Sequence, residues 1–392
     1  MTESIVLLTG GGDKPYALGM AAALKSAGVF LDFIGSDDLQ TSELFGDPQI
    51  HFLNLRGDQR ADANALAKMV RVIVYYGRLL RYAATTQSRI FHILWNNKFQ
   101  FFDRTLLMLY YKSLGKRTVL TVHNVNAGER DANDSWLNRL SLKVQYHLAD
   151  HLFVHTDKMK RELVSAFSIP PGKVTVIPFG INNTVPNTNL SVLEAKKKAG
   201  VSSTEKTMLF FGNIAPYKGL DHLVSAFIQL SKTDPSYRLL IVGKPKQCEH
   251  YWNQIQQNIL RSNVHHQIKQ RIEYIPDEET EVYFKAADVL ILPYSHVFQS
   301  GVLVLGYSFG LPAIVADVGS LREEIIEGET GFVARPREPS DLARAISRYF
   351  MSDLYRDLDN RRTKIKTYAN DRYSWSKVAA ATTNVYSNLL AA

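Results

Sequence analysis

Short apolar runs rich in β-branched residues recur along the chain, separated by stretches of helical periodicity. Ile5–Thr9, Phe30–Gly35, Ile90–Trp95, Thr118–His123, Leu152–His155 and Val174–Ile177 form one series. Met208–Gly212, Arg238–Gly243, Ile272–Ile275, Val289–Leu292, Ala313–Ala316 and Phe332–Ala334 form a second. Runs without polar alternation are those of strands buried on both faces, and the helices between them supply the covering layers. The pattern therefore predicts an α/β chain of two doubly wound domains. Residues 1–182 make the first and 207–370 the second, with 183–206 as a linker, because NNTVPNTN from Asn182 onward is polar and lacks a strand pattern. Further along, SVLEAKKKAG has the composition of a short amphipathic helix. In open parallel sheets ligands bind beyond the carboxyl ends of the strands, and two such sheets facing each other create a deep cleft. The residues just after each strand are thus the candidates for chemistry.

Composition narrows the setting. The 392 residues are 45% hydrophobic and 21% charged, ordinary for a globular protein and long enough for two cores. A single cysteine, Cys248, excludes an intramolecular disulfide and fits a reducing compartment. The opening MTESIVLLTGGGD lacks the basic and apolar regions of a signal peptide, and no apolar run reaches the ~18 residues of a membrane span. A cytoplasmic location is expected, with peripheral contact at the inner face of the membrane. The net charge of +8 is uneven: Arg60 to Leu120 holds eleven Lys and Arg against two acids, Asp62 and Asp103. Such an excess suits phosphate, acidic lipid or nucleic acid, or forms a solvated basic face. No recognition motif supports nucleic acid.

In the first domain the strand Ile5–Thr9 runs into Gly10-Gly11-Gly12-Asp13 and then a helix from about Tyr16. Glycines let backbone amides approach a phosphate or sugar, and the helix start adds partial positive charge; a tight strand-to-helix turn also needs glycine by itself. His123 stands at the tip of the strand Thr118–His123, where it would point into the cleft. The loops at Trp95-Asn96-Asn97 and Asn124–Arg130, with Asp13, are candidates for holding an acceptor sugar.

The second domain opens with MLFFGNIAPYKGLDHLVSAF, which sets Lys218 beside a helix start. An ammonium and backbone amides meeting there can neutralise one diphosphate. Downstream, Leu290–Pro293 leads into a Gln299-Ser300-Gly301 turn and an apolar helix, whose first amides, at Gly301, Val302 and Leu303, would also meet an anion.

At this point a resemblance becomes specific. PYSHVFQSGVLVLGYSFGLPAIVADVGSLREEIIEGETGFVARP resembles the donor-binding segment of glycosyltransferase family 4, retaining enzymes of GT-B fold with two Rossmann-like domains. FGNIAPYKGLD resembles that family's donor loop, and ADHLFVHTDKMKRELVSAFSIPPGKVTVIPFGIN the end of its acceptor domain. YSWSKVAAATTNVYSNLL resembles its last helix, so residues 371–392 are expected to cross back and complete the first domain. The resemblance implies transfer of a hexose from a UDP- or GDP-linked donor, with retention, to a saccharide or lipid-linked acceptor, as in polysaccharide or glycoconjugate assembly, without a metal. It also implies residue roles. Lys218 contacts phosphate, His123 faces the donor sugar, Ser300–Leu303 gives amides to the diphosphate, and Tyr274, Ile275 and Pro276 lie beside the nucleobase. Gly11, Gly12 and Asn213 complete the expected donor contacts.

The departures are as informative. Val297 and Leu305 occupy the places of the family's two glutamates, and Asn213 that of its donor-loop arginine. Gln299, Ser300 and Glu323 are the expected substitutes. A non-catalytic scaffold of the same fold, or a sugar-nucleotide epimerase, would also carry this architecture; the epimerase needs acid/base carboxylates that no position supplies. His265 and His266 are adjacent and lack flanking ligands, so a metal is not expected. Finally, Leu66, Met69, Val70, Ile73 and Leu80 follow helical spacing between Asn64 and Tyr82, a stripe expected to pack on the domain core. Lys68, Arg71, Arg78 and Arg81, with Tyr75 and Tyr82, form a different side suited to anionic lipid or a lipid-diphosphate acceptor.

Overall fold

The structure, a computed structural model, describes residues 4–40, 46–60, 64–130, 134–182 and 185–391. Asp62 and the first two residues of the expected linker lie outside these. The chain divides into two compact units, Met1–Gly180 with Tyr373–Ala392, and Ile181–Arg372.

Unit 1 is built on seven parallel strands: β1 Ile5–Leu8, β2 Leu31–Gly35, β3 Ile50–Asn54, β4 Ile90–Ile93, β5 Arg117–Thr121, β6 His151–Val154 and β7 Val174–Val176. Their order is β3-β2-β1-β4-β5-β6-β7, with Ile5 paired to both Leu31 and Ile90. Unit 2 has six parallel strands: β8 Lys206–Phe211, β9 Tyr237–Val242, β10 Ile268–Arg271, β11 Val289–Leu292, β12 Ala313–Ala316 and β13 Gly331–Ala334, ordered β10-β9-β8-β11-β12-β13. In both sheets the order reverses beside the first strand, and it is there that a ligand crevice forms.

Two edge strands depart from the sequence reading. β3 was not expected, because only Ile50 of IHFLN is buried, as suits a strand at the sheet border, and the segment shows no continuous apolar run. The strand expected at Ile272–Ile275 is instead β10, four residues earlier, whose Lys269 and Gln270 are exposed. Only β9 pairs with it, so its outer side tolerates polar residues, and the more apolar segment after it is a loop.

The helix Trp375–Ala391 packs in unit 1, where Val378, Val385 and Tyr386 join Ile5, Met20 and Leu24 in one buried cluster. Helix α1, Lys14–Ser26, meets it closely: a Cβ on Gly19 would fall 2.1 Å from the Trp375 ring. Beneath the same helix His92 bridges Tyr386 Oη at 2.5 Å and Thr121 Oγ1 at 2.7 Å. Burial holds the His92 imidazole down to about 3, with the charge of His151 a smaller cause. The unfolded chain takes up that proton near pH 6.5, so this ring's contribution is whole above 6.5 and is lost as the pH falls toward 3. By pH 5 the loss from His92 should be about 2 kcal/mol. Urea midpoints at pH 7 and pH 5 test it; a His92→Gln chain with an unchanged pH dependence would contradict it.

Helix α2, Ala65–Thr85, differs most from expectation. Its buried residues are Tyr75, Tyr76, Leu79 and Ala83, whereas Leu66, Met69, Val70 and Ile73 face solvent, Ile73 at 60% exposure. The apolar stripe is therefore not taken by the core. Tyr75, placed by spacing among the basic residues, is buried, and Tyr82 donates to Asp32. Only the second half of α2 packs on the domain, and there the large aromatics outcompete the aliphatic row for the interior. The neighbouring short helices α3, Gln100–Arg104, and α4, Leu106–Ser113, likewise leave Phe101, Leu106 and Leu109 exposed.

Candidate functional site

In unit 1 the C-terminal ends of β1, β4, β5 and β6 gather an aromatic cluster. His123 lies two residues beyond β5 and stacks on Trp95, with centroids 4.2 Å apart and planes 4° from parallel. Tyr16 meets both rings edge-on, at 4.8 Å from His123 and 5.5 Å from Trp95. His155 Nε2 lies 3.1 Å from His123 Nδ1. Burial pushes the His123 imidazole well below its ordinary range, and His155 adds to the effect; burial holds His155 itself down to about 4. The pair is therefore neutral at physiological pH, and one nitrogen donates across it while the other accepts.

Trp95, Asn96, His123 and Asn124 all line a single pocket of about 170 Å³, joined by Gln100, Arg104 and Gln145. Asn96 and Gln145 exchange amide hydrogen bonds at 3.1 and 2.6 Å, which fixes both side chains. Asp13 caps α1 by accepting from the Tyr16 N–H at 2.9 Å. The glycine turn sits between two side chains. A Cβ on Gly12 would fall 2.0 Å from the Trp95 ring, and one on Gly11 would fall 2.1 Å from Arg56 Nη1. Sequence reasoning had not singled out Arg56 or His155. Arg56 follows β3, the strand that went unrecognised, so the rule of inspecting strand ends never reached it. His155 closes a recognised strand, and that position was its available signal.

In unit 2 the site assembles around Gly212, just after β8. A Cβ there would come within 3.2 Å of Lys218 Nζ and 3.7 Å of Val302 Cγ2, so the lysine and the helix Gly301–Ser308 converge on one point. Lys218 is only 8% exposed, with its ammonium 5.7 Å above the Tyr294 ring. It sits in the short turn Pro216–Lys218, and Gly219 at φ 65° presses against the Pro293 carbonyl, where a Cβ would fall 2.1 Å away. Ser300 precedes the helix as its cap without a side-chain capping bond, and its Oγ lies 3.4 Å from Tyr294 Oη. Gln299 Oε1 is buried with no hydrogen-bond partner among the described residues. Of the three amides expected to meet an anion, that of Leu303 already donates to the Ser300 carbonyl at 3.1 Å. Gly301 and Val302 supply the other first-turn amides.

The remaining positions follow other strand ends. Asn213 is exposed beside Gly212, and Tyr274 is exposed in the loop after β10, with Lys244 Nζ 5.7 Å over its ring. Ile275 is buried next to it, and Pro276 begins the helix Asp277–Ala286. Glu323 is exposed in the turn Arg322–Glu324, whereas the adjacent Glu324 is buried and paired with Arg372 at 3.1 Å. That turn is tied to the Gln299 segment, since Ser320 N–H donates to Phe298 O at 3.0 Å. Val297 and Leu305 are both buried. Among the described residues no group of three or more His, Cys, Asp or Glu is placed to hold a metal ion.

Comparison with known proteins agrees with this division. Residues 10–184 match the family model described as Glycosyltransferase Family 4, and residues 191–372 the model described as Glycosyl transferases group 1. The chain is 26% identical to the D-inositol 3-phosphate glycosyltransferase of Streptosporangium roseum, over 70% of this chain and 63% of that protein. The match thus spans less than two thirds of the relative's length. Among solved structures, Anabaena HepE in complex with UDP has a TM-score of 0.75 at 14% identity, covering 99% of this chain and 100% of that one. Sucrose-phosphate synthase from Thermosynechococcus elongatus has a TM-score of 0.77 at 18% identity, covering 99% of each chain. The chain has the GT-B fold, with a domain similar to Glycosyltransferase Family 4 in its first unit and one similar to Glycosyl transferases group 1 in its second.

Proposed function

We propose that the chain is a retaining glycosyltransferase of family 4, transferring a hexose from a UDP- or GDP-linked donor to a saccharide or lipid-linked acceptor in polysaccharide or glycoconjugate assembly. The observation that carries the reading is the convergence on Gly212 of the buried Lys218 ammonium and the start of the helix Gly301–Ser308. An ammonium and helix amides without intrahelical acceptors, brought to one point, can contact the same anion. The unpartnered Gln299 Oε1 can accept from a ribose or sugar hydroxyl. In unit 1 the neutral His123 is positioned by His155 and Trp95 to hydrogen-bond a sugar hydroxyl rather than to carry charge.

The chemistry requires little more. The acceptor hydroxyl oxygen bonds to the anomeric carbon while the bond from that carbon to the diphosphate oxygen breaks. The hydroxyl proton passes to the departing diphosphate, whose growing charge Lys218 and the helix amides stabilise. The UDP and UDP-glucose bound by HepE make UDP-glucose the first donor to try.

Thermal unfolding with UDP, GDP, dTDP and their glucose or mannose derivatives tests the reading. The matching nucleotide at a hundred times its Kd should stabilise the protein by about 2.7 kcal/mol. The buried Val297 and Leu305 favour a second reading, a non-catalytic scaffold. Protection by no nucleotide, with no donor hydrolysis, would establish that reading instead. Peripheral membrane contact is part of the proposal, supported by the exposed apolar side chains of α2 to α4 beside Lys68, Arg71, Arg78 and Arg81. Among the described residues no helix is long and apolar enough to cross a membrane.

A further inference from the structure

The pocket beside the Trp95–His123 stack is lined by one permanent cation and no acid. The cation is Arg104, which closes the short helix α3 at only 8% exposure. Neutral groups hold its fork. Nη1 donates to Asn138 Oδ1 at 2.8 Å and to Ser141 Oγ at 3.3 Å, both on the helix Trp136–Leu148. Nη2 donates to Gln100 Oε1 at 2.8 Å, and Nε is buried with no hydrogen-bond partner among the described residues. A guanidinium has five N–H groups. These bonds engage three and leave the Nε–H and one N–H on Nη2.

The acids nearby have other partners. Asp103, the preceding residue, accepts from the Tyr76 hydroxyl at 2.8 Å and the Asn97 N–H at 2.7 Å. Asp134 reaches Arg104 through Asn138, whose Nδ2 donates to Asp134 Oδ1 at 2.7 Å, and it also pairs with Arg139. Burial draws the Arg104 guanidinium below its ordinary range, with Tyr146 and Asp103 opposing. It nevertheless keeps its charge at physiological pH. An anion entering the pocket and accepting the two remaining N–H groups would make charge-assisted hydrogen bonds to it.

The size of the charge selects the anion. A carboxylate carries one negative charge and accepts two N–H groups of one planar fork. A phosphate monoester carries about −1.5 to −2, and no lysine or second arginine lines the pocket to answer it. The other polar side chains of the lining, among them Asn96, Asn124 and the neutral His123, suit hydroxyl groups. At about 170 Å³ the space is on the scale of a single sugar residue.

We propose that Arg104 binds the carboxylate of an acidic acceptor sugar, a uronic acid residue seated in the Trp95–His123 pocket. The acceptor role rests on the glycosyltransferase reading; the binding does not. Arg104 selects the acceptor and takes no part in the bond change.

The test is calorimetric titration of the full chain with methyl glycosides of glucuronate, galacturonate and mannuronate, with the methyl ester of each, and with glucose 6-phosphate. The ester keeps the shape of the sugar and removes its charge. At least one uronide should bind about tenfold more tightly than its own ester, the scale of a hydrogen bond to a charged group. Arg104→Gln should bring that uronide and its ester to within about twofold while the ester still binds. Arg104→Lys keeps the charge without the fork and should recover only part of the preference. Should Arg104→Gln fail to fold, the uronide-to-ester ratio of the unaltered protein still decides. Equal binding of every uronide and its ester, or binding of none, would overturn the proposal. A preference that survives Arg104→Gln would overturn the assignment to Arg104, and glucose 6-phosphate binding more tightly than any uronide would overturn the carboxylate. Uronide preference without nucleotide protection would leave the site standing and remove the glycosyltransferase reading. Nucleotide protection without uronide preference would do the reverse.

Discussion

Lys218→Ala should lower turnover of the donor sugar by about two to three orders of magnitude, the scale of losing one preorganised group on a departing charge. Lys218 is buried at the point where the β8 loop and the start of the helix Gly301–Ser308 meet, so water cannot replace its ammonium at no cost. Any loss of stability is a separate effect, because the buried side chain also has contacts within the fold. Steady-state kinetics beside the far-ultraviolet circular dichroism melt separates the two effects. A folded variant with near wild-type turnover would remove Lys218 from the donor site. Lys218→Arg should not restore activity, since the guanidinium is larger than the space beside Gly212 and Tyr294.

Gly12→Ala should damage the unit 1 site with a single methyl. The backbone at Gly12 does not need positive φ, so the new Cβ is unwelcome for one reason alone: the Trp95 ring lies 2.0 Å from it. Trp95 must shift, and His123, stacked on it at 4.2 Å, must shift or lose its platform. Overpacking of this kind costs about 1–3 kcal/mol. Displacing a positioning ring by an ångström should lower kcat/KM by about a hundredfold. Gly77→Ala is the control, in the middle of α2, where an added Cβ meets nothing within 4 Å. A Gly12→Ala enzyme as active as the control would show that the stack does not matter for transfer.

The alternation of apolar runs and helices was enough to foresee two parallel α/β sheets, because strands buried on both faces cannot disguise their composition. It failed at β3 and β10, where a border strand needs only one covered side. Both failures fell on sheet edges, and the first also hid Arg56. Lys218 stood out through its glycine-flanked loop, but its burial could not be read locally, since Tyr294 and Val302 close over it from distant segments. The His123–His155 pair is likewise a product of adjacent strands, invisible to spacing along the chain. For α2 the period was legible and the outward direction was not. A helical row of aliphatics states that a face is apolar without stating what covers it.

The last helix carries a consequence for how the molecule is made. Unit 2 is one continuous stretch, Ile181–Arg372, whereas the interior of unit 1 includes Val378, Val385 and Tyr386. During synthesis unit 2 can close as soon as it leaves the ribosome, while unit 1, begun earlier, waits with an open seam against β1 and α1. His92 meanwhile lacks its Tyr386 partner, and Gly19 has no Trp375 to receive. The candidate acceptor pocket, although it lies in the first unit, is the part completed last, so a nascent chain can fold its second unit before the first has a full interior.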